Sequence, residues 1–585
     1  MPISEVDRSK MLDDLAFVYG EEKAPDIMRQ LEAIMEEHRA AFRPAAANKA
    51  FFDETDVIAI TYGDQMREDG RLPLQSLREF MAEHMKGMVS AIHILPFYPF
   101  TSDDGFSVVD YVQVDPELGS WEDVKSLASD FELMFDAVIN HVSSRSEWFQ
   151  RYLQGDPKYR RYFIEADPNA DYSSVTRPRA LPLLTPFTTA HGVKHLWTTF
   201  SDDQIDLNFA DEQVFLDIAK VLLFYTRQGA RLLRFDAVGY IWKRLGTSCI
   251  HLEEAHRIVR LYRRILDIAS PGTVIITETN VPHEDNIRYF GDGYNEAHMV
   301  YQFPLPPLVL HTFLTGNARK LSAWAASLEP VSDRTAFFNF LASHDGIGVV
   351  PAKGILTEAE IGNLVEQVKR RGGFVSYKHN GDGTQSPYEL NINYFDALAD
   401  VDGDDDANVS RFLASQAVML SLAGVPGIYL HSLLGSRSYH EGVKITGRYR
   451  SINREKLRRD IVEAELKDPA SLRGKVFHGY KRLLKIRRGE KAFHPCGGQK
   501  VLHLNDAVFS LVRTSPDHRE QVTVLINVSG SGQEVKLGAQ QGAAGLGNAV
   551  DLVSGCRIPD RGEDLVLSLA PYQVMWIKTE LSAES

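Results

Sequence analysis

From Val57 onward, short apolar runs alternate with amphipathic stretches, and several of the runs end in a carboxylate. The runs are Val57-Ile58-Ala59-Ile60-Thr61-Tyr62, Ala91-Ile92-His93-Ile94-Leu95-Pro96-Phe97 and Asp136-Ala137-Val138-Ile139-Asn140-His141. They continue with Arg234-Phe235-Asp236-Ala237-Val238-Gly239-Tyr240, Ile275-Ile276-Thr277-Glu278-Thr279-Asn280, Ala342-Ser343-His344-Asp345 and Gly427-Ile428-Tyr429-Leu430. Alternation of this kind predicts βα units and a parallel sheet. Closed into a (β/α)8 TIM barrel, such a sheet brings the C-terminal ends of its strands to one mouth, where carboxylates distant in sequence meet. Between two runs, Glu212 to Gln228 places Val214, Phe215, Ile218, Val221, Leu222 and Tyr225 on one face and stops at Gly229, which predicts a barrel-covering helix.

The rest of the chain divides around this rhythm. Residues 1–52 carry helical periodicity without strand signals, in Lys10 to Tyr19 and Ala24 to Phe42, and predict an N-terminal helical extension. The barrel is expected over 53–491, with loop domains inserted at 142–200 after the third strand and at 346–410 after the seventh. Loops of that length in a compact domain usually carry function. From 492 to 585 the texture changes to short alternating runs such as Val508 to Val512, Val522 to Ile526 and Val574 to Ile577, which predict a small antiparallel β domain.

Composition narrows the function classes. With 64 Lys+Arg against 79 Asp+Glu the formal charge is −15, which argues against a nucleic-acid partner. Cys249, Cys496 and Cys556 form no spaced pair, so neither a disulfide framework nor a cysteine metal site is expected. The start Met-Pro-Ile-Ser-Glu-Val-Asp-Arg lacks the pattern of a signal peptide, and a reducing cytoplasm fits best. The most apolar stretch, Phe412 to Leu430, is broken by Gln416, Gly424 and Pro426 and predicts a buried helix and strand rather than a membrane span.

The acids suggest glycosidic chemistry. Cleavage with retention needs one carboxylate as nucleophile and a second carboxyl as acid, then base. Asp236 follows Arg234 by two residues, so both share a strand face and the cation is expected to favour the ionised nucleophile. Glu278 follows Val274-Ile275-Ile276, where burial is expected to raise its pKa and keep the acid protonated. Asp345, beside His344, suits binding of sugar hydroxyls and stabilisation of charge at the anomeric carbon. Each acid alone also fits a strand-end residue capping a helix, and His141 alone fits a core histidine; three acids in register favour the catalytic reading.

These segments, with Asp104-Gly105-Phe106, Gly246-Thr247-Ser248-Cys249 and His344-Asp345-Gly346-Ile347-Gly348, resemble the α-amylase superfamily (glycoside hydrolase family 13) and its sucrose phosphorylase-like group. The resemblance implies Asp236 as the nucleophile of a β-glucosyl-enzyme, Glu278 as acid/base and Asp345 as transition-state stabiliser. It also implies Asp103, His141, Arg234, His344 and Arg454 as ligands of the glucosyl hydroxyls or the nucleophile, the last from Arg450-Ser451-Ile452-Asn453-Arg454. Arg177-Pro178-Arg179 matches a loop whose second Arg meets phosphate, and a guanidinium fork suits that anion; a solvated loop arginine is the competing reading.

The chain departs from sucrose phosphorylases near the leaving group. Thr279-Asn280-Val281-Pro282-His283 replaces their His after the acid/base, and Tyr388-Glu389 replaces their Tyr-Gln, so both sites are expected to line a different acceptor pocket. The strings from Asn280 to Asn286 and Tyr388 to Asn393 look more like the glucosylglycerate phosphorylase branch. That resemblance implies reversible phosphorolysis of 2-O-α-glucosylglycerate, with phosphate as co-substrate and no metal or organic cofactor. An anionic acceptor needs cations near Glu278, and His283, Lys378, His379 and Arg179 are the candidates. Phosphorylases acting on sucrose, sucrose 6-phosphate or glucosylglycerol, an α-glucoside hydrolase sharing the same acids, and a catalytically silent binding barrel are the alternatives.

Overall fold

The computed structural model describes residues 3–42, 51–179, 181–380, 384–538, 549–558 and 564–580. Eight parallel strands close a TIM barrel: β1 (Ile58–Thr61), β2 (Ala91–Ile94), β3 (Glu132–Ala137), β4 (Ala230–Phe235), β5 (Val274–Thr277), β6 (Met299–Tyr301), β7 (Ala336–Phe340) and β8 (Val425–Tyr429). Each strand pairs with its neighbours in sequence order, and Ile58 opposite Gly427 closes the ring. The strands are buried on both faces, as expected of a parallel sheet wrapped by helices, so they read as near-continuous apolar runs.

β6 is absent from the runs read in the sequence. It has three residues, Met299-Val300-Tyr301, too few to show a period. The segment 342–345 lies beyond the strand that precedes it: β7 ends at Phe340, and Asp345 is carried on the loop that follows.

Helices α1 (Glu5–Tyr19) and α2 (Ala24–Ala41) pack on the barrel wall against α3 (Glu212–Arg227) and α4 (Glu253–Ala269). Met11, Leu15, Ile27, Met28, Leu31 and Met35 join the main core. Polar ties fix the same contact: Arg257 meets Asp14 at 2.8 Å, Tyr19 Oη donates to Phe209 O at 3.0 Å, and His38 Nε2 bonds Ser270 Oγ at 2.7 Å. Of the segment 1–52, residues 1–2 and 43–50 lie outside the described part.

The end of the chain forms a five-stranded antiparallel sheet, in the order Gly498–Asn505, Val508–Thr514, Glu520–Asn527, Val574–Glu580, Val550–Asp551, with a second two-stranded pair beside it. Two buried arginines meet where it joins the barrel. Arg513 on the sheet donates to Ser421 O of the barrel and to Gly498 O and His494 O, and Arg487 on the barrel donates to Leu420 O, Glu54 O and Gly424 O and to Phe493 O at the junction. Their charge is spread over carbonyls that strand and helix ends leave unpaired. No helix among the described residues is long and apolar enough to cross a membrane.

Candidate active site

Asp236 and Glu278 stand one residue past the ends of β4 and β5, so the strand geometry itself delivers them to the barrel mouth. Arg234, buried on β4, links them. Its Nη1 donates to Asp236 Oδ1 at 2.8 Å and its Nη2 lies 3.8 Å from Glu278 Oε2. The same guanidinium donates to Asp136 Oδ1 and, through Nε at 3.1 Å, to the Tyr301 hydroxyl. Asp136 is held in turn by His93, whose Nε2 donates at 2.7 Å. A buried ion pair that is anchored on its far side keeps a fixed orientation.

Just after Asp236 the chain turns through Ala237, whose φ of 50° is left-handed, and its N–H donates to Glu278 Oε2 at 3.1 Å. Burial pushes Glu278 up to about 7, and Asp236 adds to the rise. Burial also raises Asp236, and Arg234 works against it. Arg234 favours the ionised carboxylate, as the spacing predicts, but desolvation, which a sequence does not show, outweighs the cation. Because Arg234 is nearer Asp236 than Glu278, Asp236 ionises first and Glu278 keeps its proton longer.

Asp345 is placed by other means. Arg454 Nε donates to His344 O at 2.9 Å and Asn453 Nδ2 to Asp345 O at 3.2 Å, so the turn Tyr449–Asn453 with Arg454 grips the 344–345 backbone. Burial raises the Asp345 carboxyl, but the Arg450 and Arg454 guanidiniums outweigh it and hold it at about 2, ionised throughout the working range. The His344 ring stacks on Phe106, centroids 4.8 Å apart, and burial pushes it down to about 3, so it is neutral and its Nε2 sits 3.5 Å from Asp345 Oδ1. His141 is also lowered by burial; its Nε2 donates to Phe106 O at 2.8 Å.

The loop after β2 adds two acids in the left-handed region, Asp103 (φ 54°) and Asp104 (φ 49°). Arg179 Nη2 donates to Asp103 Oδ2 at 2.9 Å, its guanidinium lying over the Phe200 ring. Arg454 pairs with Asp104. Burial opposes ionisation of Asp103, but Arg179, Arg450 and Arg454 outweigh it and hold it well below the carboxylate range.

The acceptor-side residues separate. Asn280 lines the cavity with Glu278, His344, Asp345 and Glu389, and its buried Oδ1 has no hydrogen-bond partner among the described residues. Thr279 does not face that cavity as expected: it is buried and its hydroxyl donates to Asn286 Oδ1 at 2.8 Å. The His283 ring packs near Phe337, centroids 6.1 Å apart, and no described hydrogen bond ties it to the carboxylates. Arg177 donates to Leu181 O rather than toward Asp103. Lys378 lies on the strand Phe374–His379, and the side chain of His379 is outside the described part. Glu389 is buried, accepts the Gly346 N–H at 3.1 Å and pairs with Arg450, while Tyr388 beside it is pushed up by burial and feels Glu278 and Arg179.

Three partners carry no role in the reading of the sequence: Asp104 and Arg450, which stand there only inside motifs, and Lys243. The Lys243 side chain is buried; its Nζ sits 2.5 Å from Asp206 Oδ2 and 2.9 Å from Asn140 Oδ1, next to His141. Its only local signal is a lysine four residues after Gly239, in a stretch otherwise read for Tyr240.

Gly346 shows how tightly the loop is built. A Cβ there meets Leu390 O at 2.6 Å and Glu389 Cγ at 2.7 Å. Gly346→Ala is expected to shift Asp345 and lower activity by about 10²-fold, since a displacement near 1 Å costs on that order. Steady-state rates check it, and activity within a factor of two of wild type contradicts it.

A pair of carboxyl groups on one guanidinium, one ionised and one protonated near neutrality, with a third ionised acid opposite, can attack and protonate a glycosidic bond. A family model described as "Alpha amylase, catalytic domain" matches residues 83–347, and one described as "Maltogenic Amylase, C-terminal domain" matches 500–576. A glucosylglycerate phosphorylase of Spirochaeta thermophila is 48% identical, covering 98% of this chain and 98% of its own length. One of Allomeiothermus silvanus is 51% identical, covering 90% and 94%. The crystal structure of sucrose 6F-phosphate phosphorylase from Thermoanaerobacter thermosaccharolyticum superposes with a TM-score of 0.71 at 25% identity, over 83% of this chain and 94% of that one. The chain belongs to the α-amylase family, glycoside hydrolase family 13, in its sucrose phosphorylase-like group.

Proposed function

We propose that the chain is a retaining glycoside phosphorylase that converts 2-O-α-glucosylglycerate and phosphate reversibly to α-glucose 1-phosphate and glycerate. The identity of 46% to 51% with three glucosylglycerate phosphorylases over nearly the whole chain carries this reading, against 28% with a sucrose 6F-phosphate phosphorylase.

In the first step Asp236 attacks the anomeric carbon as Glu278 gives its proton to the departing glycerate oxygen, leaving a β-glucosyl ester on Asp236. In the second, phosphate attacks that carbon, Glu278 takes the proton from the attacking hydroxyl, and the ester breaks to give the α-phosphate. Asp345 faces the positive charge that develops in both steps. Asp103, His141, His344 and Arg454 bind the glucosyl hydroxyls, Arg234 aligns the nucleophile, and Arg179 meets phosphate. Tyr388 and Glu389 shape the acceptor side, and His283 belongs to the outer wall of that pocket. The enzyme works on small molecules in the cytoplasm, with phosphate as co-substrate and no metal or organic cofactor.

Incubation with α-glucose 1-phosphate and, separately, glycerate, glycerol, fructose and fructose 6-phosphate tests the reading. Phosphate release dependent on glycerate is expected; release with another acceptor, or equally without any, overturns it. The pH profile is a further prediction. Glycoside cleavage needs Glu278 protonated, so kcat/KM for the glucoside should fall as pH rises through about 7. A profile flat well past that pH contradicts the assignment of Glu278 as the acid.

A further inference from the structure

Both acceptors in this reaction are anions, yet the chain carries a formal charge of −15 and the barrel mouth is crowded with acids. A local cation therefore has to hold them. Arg450 has the geometry for it. It lies in the turn Tyr449–Asn453, which is fixed to the strand Phe374–His379 by Tyr449 stacking on Phe374 at 4.8 Å. One edge of its guanidinium is anchored twice on the buried Glu389, Nε to Oε2 at 3.1 Å and Nη2 to Oε1 at 2.9 Å. Its Nη1 lies 2.6 Å from Asp345 Oδ1, and the side chain stays 23% exposed. Each Nη atom keeps an N–H for which no described partner exists, and a planar fork held on one edge presents its other donors in a fixed direction.

Its surroundings point to the acceptor side. Arg179 is tied to Asp103 at 2.9 Å and Arg450 to Asp345 and Glu389, and Asp345 and Glu389 line one cavity with the acid/base Glu278. The acceptor oxygen must meet Glu278 there. Glu389, where sucrose phosphorylases carry Gln, supplies the carboxylate that orients the fork.

We propose that Arg450, anchored by Glu389 and acting together with Arg179, receives the anionic group of the acceptor, whether phosphate or a carboxylate. Arg450 is then a specificity-determining residue as well as a neighbour of Asp345. The inference rests on the phosphorylase reading above.

The test uses the full chain with α-glucosyl fluoride, a donor without an anionic group to bind, and measures how the glucosyl-enzyme divides between transfer and hydrolysis to glucose. Phosphate, glycerate and no acceptor are compared for wild type, Arg450→Ala and Arg450→Lys. A hydrogen bond to a charged group corresponds to about 10- to 100-fold in binding. Arg450→Ala should therefore lower transfer to phosphate and to glycerate, relative to hydrolysis, by about tenfold or more. Arg450→Lys, which keeps the charge and loses the fork, should lower it by a smaller factor, and it decides the matter if the Ala variant does not fold. If Arg450 only supports Asp345, the variants slow formation of the glucosyl-enzyme and leave the division unchanged, which overturns the proposal. A wild-type enzyme that transfers to phosphate and not to glycerate overturns the glycerate reading, and Arg450 is then judged on phosphate alone.

Discussion

Asp236→Asn is expected to lower phosphorolysis by about 10⁴-fold or more, the loss that follows removal of a covalent nucleophile. The substitution keeps the size of the side chain and a carbonyl oxygen for Arg234, so the cavity is preserved while the attacking atom is lost. The protein should be no less stable than wild type: burial raises the Asp236 carboxyl, which means that its charge is held at a cost that Arg234 only partly offsets. With α-glucosyl fluoride, intact-mass measurement should show a glucosyl adduct on the wild-type chain and none on the variant. Wild-type turnover by Asp236→Asn contradicts the covalent route.

Lys243→Met should destabilise the fold by about 3 to 5 kcal/mol, the loss typical of breaking a buried ion pair from one side. Lys243 is itself lowered by burial, with Asp206 pulling the other way, and Asp206 is fully buried. Without the ammonium, Asp206 keeps the Thr199 N–H at 2.9 Å and the Thr199 hydroxyl at 2.6 Å but has no counter-charge. Asn140 loses its donor to Oδ1 as well, so the wall carrying His141 loosens and activity falls with stability. Denaturant midpoints at neutral pH measure the effect, and a change within about 1 kcal/mol contradicts a load on this pair.

What the sequence discloses here follows from distance along the chain. Asp236 and Glu278 are legible because each closes an apolar run whose strand needs no distant information. Asp345 is legible from its motif, although the strand it belongs to ends five residues earlier, at Phe340. The partners that tune these acids are not local. Arg450 reaches Glu389 across 61 residues, Lys243 reaches Asn140 across 103, and Arg454 reaches Asp104 across 350. Only the closed barrel and the loops that leave it bring them together.

The balance of opposing terms is equally hidden. Two residues of spacing correctly place Arg234 against Asp236, but the sign of the Asp236 shift depends on burial that only the packed barrel defines. Thr279 follows the acid/base directly and still turns away to Asn286, because the chain bends at the strand end and leaves Asn280 facing the cavity. β6 is invisible at three residues, and the closure of the ring through its neighbours is what reveals it.

The central claim is net retention through a glucosyl-enzyme that phosphate resolves. Proton NMR of the first product formed from 2-O-α-glucosylglycerate and phosphate tests it most directly. Appearance of α-glucose 1-phosphate in step with free glycerate is the predicted result; β-glucose 1-phosphate, or free glucose at a rate independent of phosphate, contradicts it.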